Sequence, residues 1–422
     1  MFTPQIILAI VKVALMIGGL MTAAAYFVLL ERRIAAWTQD RVGPNRVGAP
    51  LSLFGLKDLR LWGLGQPAAD GIKFITKEEY TPAHVDKRLF VLAPISILTA
   101  ALAVFAAVPF GSVLPVPESW GLGKEVSLVV TPGLDAGVIY VFALSSIAVY
   151  GVILGGWASN NKYSFLGGLR STAQLIAYEL PLGLGILGVV LAAGTMNLEE
   201  IMTAQATGGW YAFLQPLGFV VFVTAAFAEA ARLPFDLPEA EQELIGGYHT
   251  EYAGLKLLLF LVAEFLHMIL ASFLIVILFL GGWHLPFGLT GPLPTPDNPS
   301  PDITLWFGIV RLVVLTVKIV GIIVFFMLVR WSWPRFRFDQ LMALAWKIML
   351  PLGLVNLVAV AILYETRTWF AGGDGWYWNS LMALAGWIVC LVSWAAVAWA
   401  NPLVTDNRAQ PTPYPYGIDP PI

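Results

Sequence analysis

EAARLPFDLPEAEQELIGGYHTEYAGLKLLLFLVAE, residues 229 to 264, is the stretch on which the reading of this chain turns. Its 36 residues carry six glutamates and one aspartate: Glu229, Asp236, Glu239, Glu241, Glu243, Glu251 and Glu264. On either side lie segments apolar enough to cross a bilayer. A charged group at the centre of a spanning helix costs roughly 3 kcal/mol, so ionisable residues kept there carry a functional expectation.

Working outward, the 422 residues are 58% hydrophobic and 12% charged. Soluble domains average about 25% charged residues, so the composition points to a polytopic membrane protein. The single cysteine, Cys390, excludes an intramolecular disulfide framework and an iron-sulfur thiolate cluster. His84, His249, His267 and His284 lack zinc or haem ligand spacing, and His249 and His267 read as loop and packing residues.

Apolar runs of about 20 residues, matched to the hydrocarbon thickness, fall near 5–30, 89–110, 136–157, 173–193, 213–231, 257–282, 304–329, 344–364 and 379–400. Only helices satisfy their own backbone within such runs, so an all-α bundle of about nine transmembrane helices is expected. Segments 31–88, 158–172, 232–256 and 330–347 hold 18 of the 24 basic residues. The positive-inside rule then places these loops in the cytoplasm and the N-terminus outside. With nine spans the Pro-rich tail 401–422 is also cytoplasmic. Loop 31–88 interleaves charge with Leu, Trp, Ile and Phe, as in an amphipathic helix lying in the membrane interface or docking a soluble partner.

Counting 1.5 Å per residue converts position into depth. Glu179, nine residues past Arg170, lies about 13 Å in; Glu264, eight past Lys256, about 12 Å; and Lys318, twelve before Arg330, about 18 Å, near the midplane. Lys12 and Arg311 fall near the outer surface, where long basic chains snorkel. Carboxylates grouped at such depths raise one another's proton affinity and can hold and pass protons. Simpler readings stay open at some positions. Glu239, Glu241 and Glu243 follow Pro238 as residues of a helix start do. Glu229 and Arg232 could form an i, i+3 ion pair. Glu31-Arg32-Arg33 could be a topology anchor.

YFVLLERRIAAWTQDRVGPNRVG, ADGIKFITKE, WASNNKYSFLGGLRSTAQLIAYEL, the 229–264 stretch and WPRFRFDQLMALAWKIMLP together resemble the membrane subunit 1 (H-type) family of NADH:quinone oxidoreductase, respiratory complex I. The likeness covers about residues 10 to 364. It implies an eight-helix core, with loop 31–88 and acidic loop 232–256, at the junction of the peripheral and membrane arms. That core forms the chamber through which a lipid-soluble quinone leaves the bilayer. Quinone is then a substrate, this chain binds no cofactor, and FMN and iron-sulfur clusters belong to partner subunits. The implied partners are the peripheral subunits of the quinone site, the small membrane subunits leading to antiporter-like subunits, and lipids. No nucleic acid is involved, and a bacterial plasma membrane is the expected location.

Carried over by position, the family's chamber falls on Glu31, Arg32, Arg33, Arg41, Arg46, Asp70, Lys73, Glu229, Arg232 and Phe235. Its proton path falls on Glu179, Asp236, Glu239, Glu241, Glu243, Glu251, Glu264 and Lys318. Residues 365–422, with helix 379–400, and the Pro-rich outer loop 283–303 exceed the family pattern. The nearest rival family is the related membrane subunit of energy-converting hydrogenase-type complexes, which needs no quinone. An autonomous ion transporter and a purely structural anchor are more distant rivals.

Overall fold

The computed structural model describes residues 4–48, 62–117, 125–236, 246–285, 289–292, 304–369 and 376–400. The architecture is an all-α bundle with one small hairpin. Helix α1 spans Pro4–Thr38. Its 35 residues extend about 52 Å, longer than a hydrocarbon core of about 30 Å, so its charged last turns project beyond the apolar slab. The short amphipathic helix α2, Gln66–Thr76, has no buried residue, consistent with a helix lying flat on an interface. Helix α3, Lys87–Val104, starts on Asp86, whose carboxylate accepts from the Arg88 and Leu89 amides. Strands β1, Val113–Pro115, and β2, Glu125–Ser127, pair antiparallel.

Helices α4, Gly137–Ala158, and α5, Lys162–Ala193, form the next hairpin, α5 capped by Asn161 and ended by the left-handed Gly194. Helix α5 starts well before the residue 173 expected from hydropathy, because its first turns lie where the polar stretch KYSFLGGLR continues the helix. Helix α6 is Leu198–Gly208, α7 is Tyr211–Leu214 and α8 is Pro216–Glu229. A single turn of 3-10 helix, Gly247–His249, precedes α9, Gly254–Phe279. Then come α10, Leu305–Ser332; α11, Phe338–Ala343; a π-helical segment, Leu344–Met349; α12, Leu350–Trp369; and α13, Trp376–Ala400.

Among the described residues eight helical rods are long and apolar enough to cross a membrane: α1, α3, α4, α5, α9, α10, the continuous α11–α12 rod and α13. The difference from nine lies at 213–231. Pro216 offers no N–H, and the residue before a proline is pushed out of the helical region, so Gln215 takes φ −132° and ψ 62° and breaks the run. The run is thereby divided into α7 and α8, the latter 14 residues and about 21 Å long and packed antiparallel along α5.

Helix α9 is the central post, with an almost unbroken buried run from Phe265 to Phe279. Around it pack α1, α3, α5, α6, α8 and α10. Lacking a hydrophobic drive between helices in lipid, such bundles rely on close packing of small residues. A Cβ on Gly167 of α5 would lie 2.6 Å from the Gly247 Cα, so the turn before α9 rests backbone against backbone on α5. Helix α13 closes one flank against α7, α8 and α12. A Cβ on its Gly386 would stand 2.4 Å from the Leu214 carbonyl oxygen, at the break between α7 and α8.

Candidate functional site

At the end of the bundle where α1 and α10 finish, three carboxylates and three arginines form a ladder, buried at Glu31, Arg232 and Asp236 and more open at Arg330 and Arg335. Arg330, in the last turn of α10, donates a hydrogen bond to Glu31 of α1. Arg232, in the turn after α8, places Nη1 3.5 Å from both Glu31 carboxylate oxygens. Its Nε lies 3.2 Å from Glu264 Oε1, and its guanidinium covers the Phe265 ring at 4.4 Å. Arg335 Nη2 sits 3.4 Å from Asp236 Oδ2. Burial, then repulsion from Glu264, push the Asp236 carboxyl up to about 7, against the pull of Arg335, Arg330 and Arg232. Glu31 is therefore a buried ion-pair member, which the topology-anchor reading does not account for. Arg232 reaches Glu31 and Glu264, while Glu229 accepts from Ser145, so the i, i+3 pair is replaced by longer-range partners.

The turn carrying Arg232 and Asp236 is held as a unit. The Gln174 side-chain amide of α5 donates to the carbonyls of Ala228 and Phe235, at 2.9 Å each, clasping both ends. Phe235 is buried between Tyr178 and Phe336, both rings 5.6 Å away. Buried backbone needs such partners, since an unmet carbonyl or amide costs as much as a lost hydrogen bond.

Behind the ladder a cavity of about 60 Å³ opens between α3, α4, α5, α8 and α9. Glu179, Glu229, Glu264, His267, Ser145, Ser146 and Tyr248 line it, with apolar walls from Ile97, Val149, Val152 and Phe260. Room of about 15 Å³ suffices for one water, so the space and its polar lining suit several. The neighbouring serines of α4 diverge by about 100° around the helix. Ser145 accordingly donates to Glu229 of α8, and Ser146 to Glu179 of α5. Glu264 belongs to both the ladder and the cavity, and joins them.

Other expected residues lie apart. Arg32 pairs with Asp70 of α2 at 2.8 Å, Gln66 also donates to Asp70, and Arg33 donates to the Trp62 carbonyl, fastening the amphipathic segment to α1. Arg41 donates to Gln39, and Arg46 and Lys73 are exposed on the same side. Glu251 accepts from Asn161 Nδ2 at 2.6 Å, at the start of α5 rather than in the cavity. Glu239, Glu241 and Glu243, and the tail 401–422, lie outside the described residues, as does most of loop 283–303.

Lys318 stands midway along α10 but meets the far end of α9. Its ammonium donates to the carbonyls of Leu280, Gly282 and His284 at 2.7, 2.9 and 2.7 Å, and lies over the Trp210 ring at 4.6 Å. It is not brought against the carboxylates. The His284 ring is driven down to about 4 by burial and by Arg311 and Lys318, and is neutral at pH 7. Arg311 corrects the snorkelling expectation: it is buried and donates to the carbonyls of Thr290 and Pro292 at 2.9 and 2.8 Å. Lys12 likewise turns inward to the Val129 carbonyl, at 3.0 Å. A loop folded over each side chain supplies carbonyls nearer than bulk water.

Sequence reasoning missed Arg330 and Arg335 as ladder members, Ser145 and Ser146 as carboxylate donors, and His267 as a cavity residue. The serine pair did carry a signal, two hydroxyls in the apolar run VFALSSIAVY. Arginines at the end of a span read equally well as topology signals. Among the described residues no group of three or more His, Cys, Asp or Glu is placed to hold a metal ion.

A polytopic helical bundle with a charge-balanced ladder opening into a carboxylate-lined cavity defines an integral membrane protein with an ionisable site inside its spans. The family model described as NADH dehydrogenase matches residues 11–361. Similar proteins include the H 2 subunit of NADH-quinone oxidoreductase from Rhizobium meliloti (strain 1021), 44% identical over 355 residues, 84% of this chain and 96% of the relative. The H 1 subunit of NADH-quinone oxidoreductase from Geobacter metallireducens is 45% identical over 363 residues, 86% of this chain and 98% of the relative. NADH-quinone oxidoreductase subunit 8 of Rhodothermus marinus is 42% identical over 352 residues, 82% and 94% of the two chains. The chain belongs to this NADH dehydrogenase family of membrane subunits, and α13 lies beyond the matched residues.

Proposed function

We propose that the chain is the membrane subunit of a proton-translocating NADH-quinone oxidoreductase, receiving quinone at the ladder end and passing protonation changes inward. The observation carrying this reading is the double membership of Glu264, which contacts Arg232 in the ladder and lines the cavity with Glu179 and Glu229. In this reading α1 and α2, with Arg32, Arg33, Arg41, Arg46, Asp70 and Lys73, border the mouth of an access chamber. The head group approaches Glu31, Arg232 and Phe235. A negative charge arriving there draws on the arginines and frees Asp236 and Glu264 to exchange protons. The carboxylates of the preceding loop, Glu239, Glu241 and Glu243, and Glu251 at the start of α5 supply the ladder. Glu264, Glu229 and Glu179 take protons onward through cavity water.

Lys318, saturated by three carbonyl acceptors, serves as a fixed positive charge at the far end rather than as a carrier. Electrons reach quinone through FMN and iron-sulfur clusters of partner subunits, with the peripheral quinone-site subunits docking on the ladder end and the small membrane subunits on the flank. The setting is a bacterial plasma membrane with the ladder end in the cytoplasm.

The test is proton pumping per NADH by the purified complex in liposomes. Glu264→Gln should abolish most of it while the complex still assembles, because one proton-transfer group contributes about a hundredfold or more in rate. Unchanged pumping would overturn the relay. A photoreactive quinone that labels other subunits but never residues 20 to 75 or 229 to 236 would overturn the chamber.

A further inference from the structure

The cavity holds one ionisable group that the carboxylate path does not use. His267 lies one helical turn beyond Glu264 on α9, on the same face, as i, i+3 neighbours do. It faces Glu179 from α5 and Glu229 from α8, with Glu264 on its own helix, Tyr248 from the preceding turn and the hydroxyls of Ser145 and Ser146 from α4. No protein hydrogen bond to either ring nitrogen occurs among the described residues. Buried polar groups take a partner wherever one fits, and this cavity has room and polar lining for bridging water.

We propose that His267 is a proton-holding residue of this cavity, exchanging protons through water with Glu179 and Glu229. This deepens and rests on the proton-path reading given above. The chemistry favours an imidazole here. Two carboxylates close together cannot both stay ionised cheaply, and each is already met by a serine hydroxyl. An imidazolium beside them balances one negative charge. The exchange conserves atoms and charge: a carboxyl O–H bond breaks, its proton passes to water, and the water gives one of its own to an imidazole nitrogen. A neutral acid and a neutral ring become a carboxylate and an imidazolium. The ring's two nitrogens let it accept a proton at one while the other keeps or gives up its own, which a carboxylate fixed by a serine does less readily. The direction of α9 sets the order. It carries Glu264 nearer the ladder and His267 deeper, so the histidine is the inner member of the pair.

The test uses the complete complex in liposomes, with His267→Asn, which keeps size and polarity, and His267→Phe, which keeps the ring. Assembly is checked on native gels, and pumping per NADH is followed across roughly pH 6 to 9, with Glu179→Gln and Glu229→Gln in parallel. Both histidine variants should assemble and pump about a hundredfold less. Wild-type pumping by His267→Asn over the whole range, while the two glutamate variants are impaired, would overturn this inference and leave the carboxylate path standing. Wild-type pumping by the glutamate variants would overturn the path itself. Recovery of activity by His267→Phe but not by His267→Asn would assign the ring a packing role and also overturn the inference.

Discussion

Arg330 donates a hydrogen bond to Glu31, a residue 299 positions earlier in the chain, and so ties the last turn of α10 to the end of α1. Glu31 is buried but Arg330 is 29% exposed and Arg232 keeps Glu264, so losing the pair costs less than the roughly 3 to 5 kcal/mol of a fully buried one. Glu31→Gln is therefore expected to lower the thermal midpoint of the purified complex and its yield on native gels. The paired change Glu31→Gln with Arg330→Gln should recover part of the loss, and a melting curve identical for the single variant and wild type would refute the structural role of the pair.

Asp236 provides a pH signature. Its carboxyl titrates at about 7, above its ordinary 3.8, so ionisation works against the fold. The stabilising contribution is full below the ordinary value, falls as pH rises and is spent once pH passes about 7. Infrared difference spectra should show the protonated-carboxyl band growing as pH falls through neutrality, and losing that component in Asp236→Asn. A band that stays flat across this range in wild type would contradict the raised value.

Ser145 and Ser146 each hold one cavity carboxylate. A hydrogen bond to a charged group is worth about 1.5 to 3 kcal/mol, and about 1.4 kcal/mol is tenfold in rate. Ser145→Ala and Ser146→Ala should each slow coupled proton pumping by roughly tenfold, with normal assembly. Ser145→Thr, which keeps the hydroxyl, should stay closer to wild type. Equal rates for the alanine and threonine variants would show that the hydroxyl is irrelevant.

Lys318→Met removes one ammonium and leaves the Leu280, Gly282 and His284 carbonyls without that donor. The loss should reach roughly 3 kcal/mol, read as a lower melting temperature of the complex. Lys318→Arg should restore only part of it, because a compact ammonium fits three converging carbonyls and a planar fork does not. Full stability in Lys318→Met would argue against a structural role for these three hydrogen bonds.

Much of the bundle is legible in hydropathy alone, since spans such as 136–157 and 257–282 declare themselves by length and composition. The average over the 213–231 run hides the Gln215-Pro216 break that divides it, because the break acts on the backbone rather than on hydropathy. Glu179, Glu229 and Glu264 stand out as carboxylates in apolar surroundings, and the structure gathers them around one cavity. Their partners do not stand out. Arg330 and Ser146 acquire meaning only when helices far apart in sequence are brought together, and counting along α10 does not reveal that α9 ends beside Lys318. His267 reads as packing in the sequence because one histidine in an apolar helix has no pattern around it.

The ladder of Glu31, Asp236 and Glu264 against Arg232, Arg330 and Arg335 sums to zero formal charge when every member is ionised. With Asp236 poised at about 7, one proton flips that sum to plus one near neutral pH. At an effective dielectric of about 20, a unit charge is felt 10 Å away as roughly 2 kcal/mol. The end of the bundle thereby behaves as a switchable electrode, whose potential toward an anion nearby is set by a single proton, with no backbone movement required.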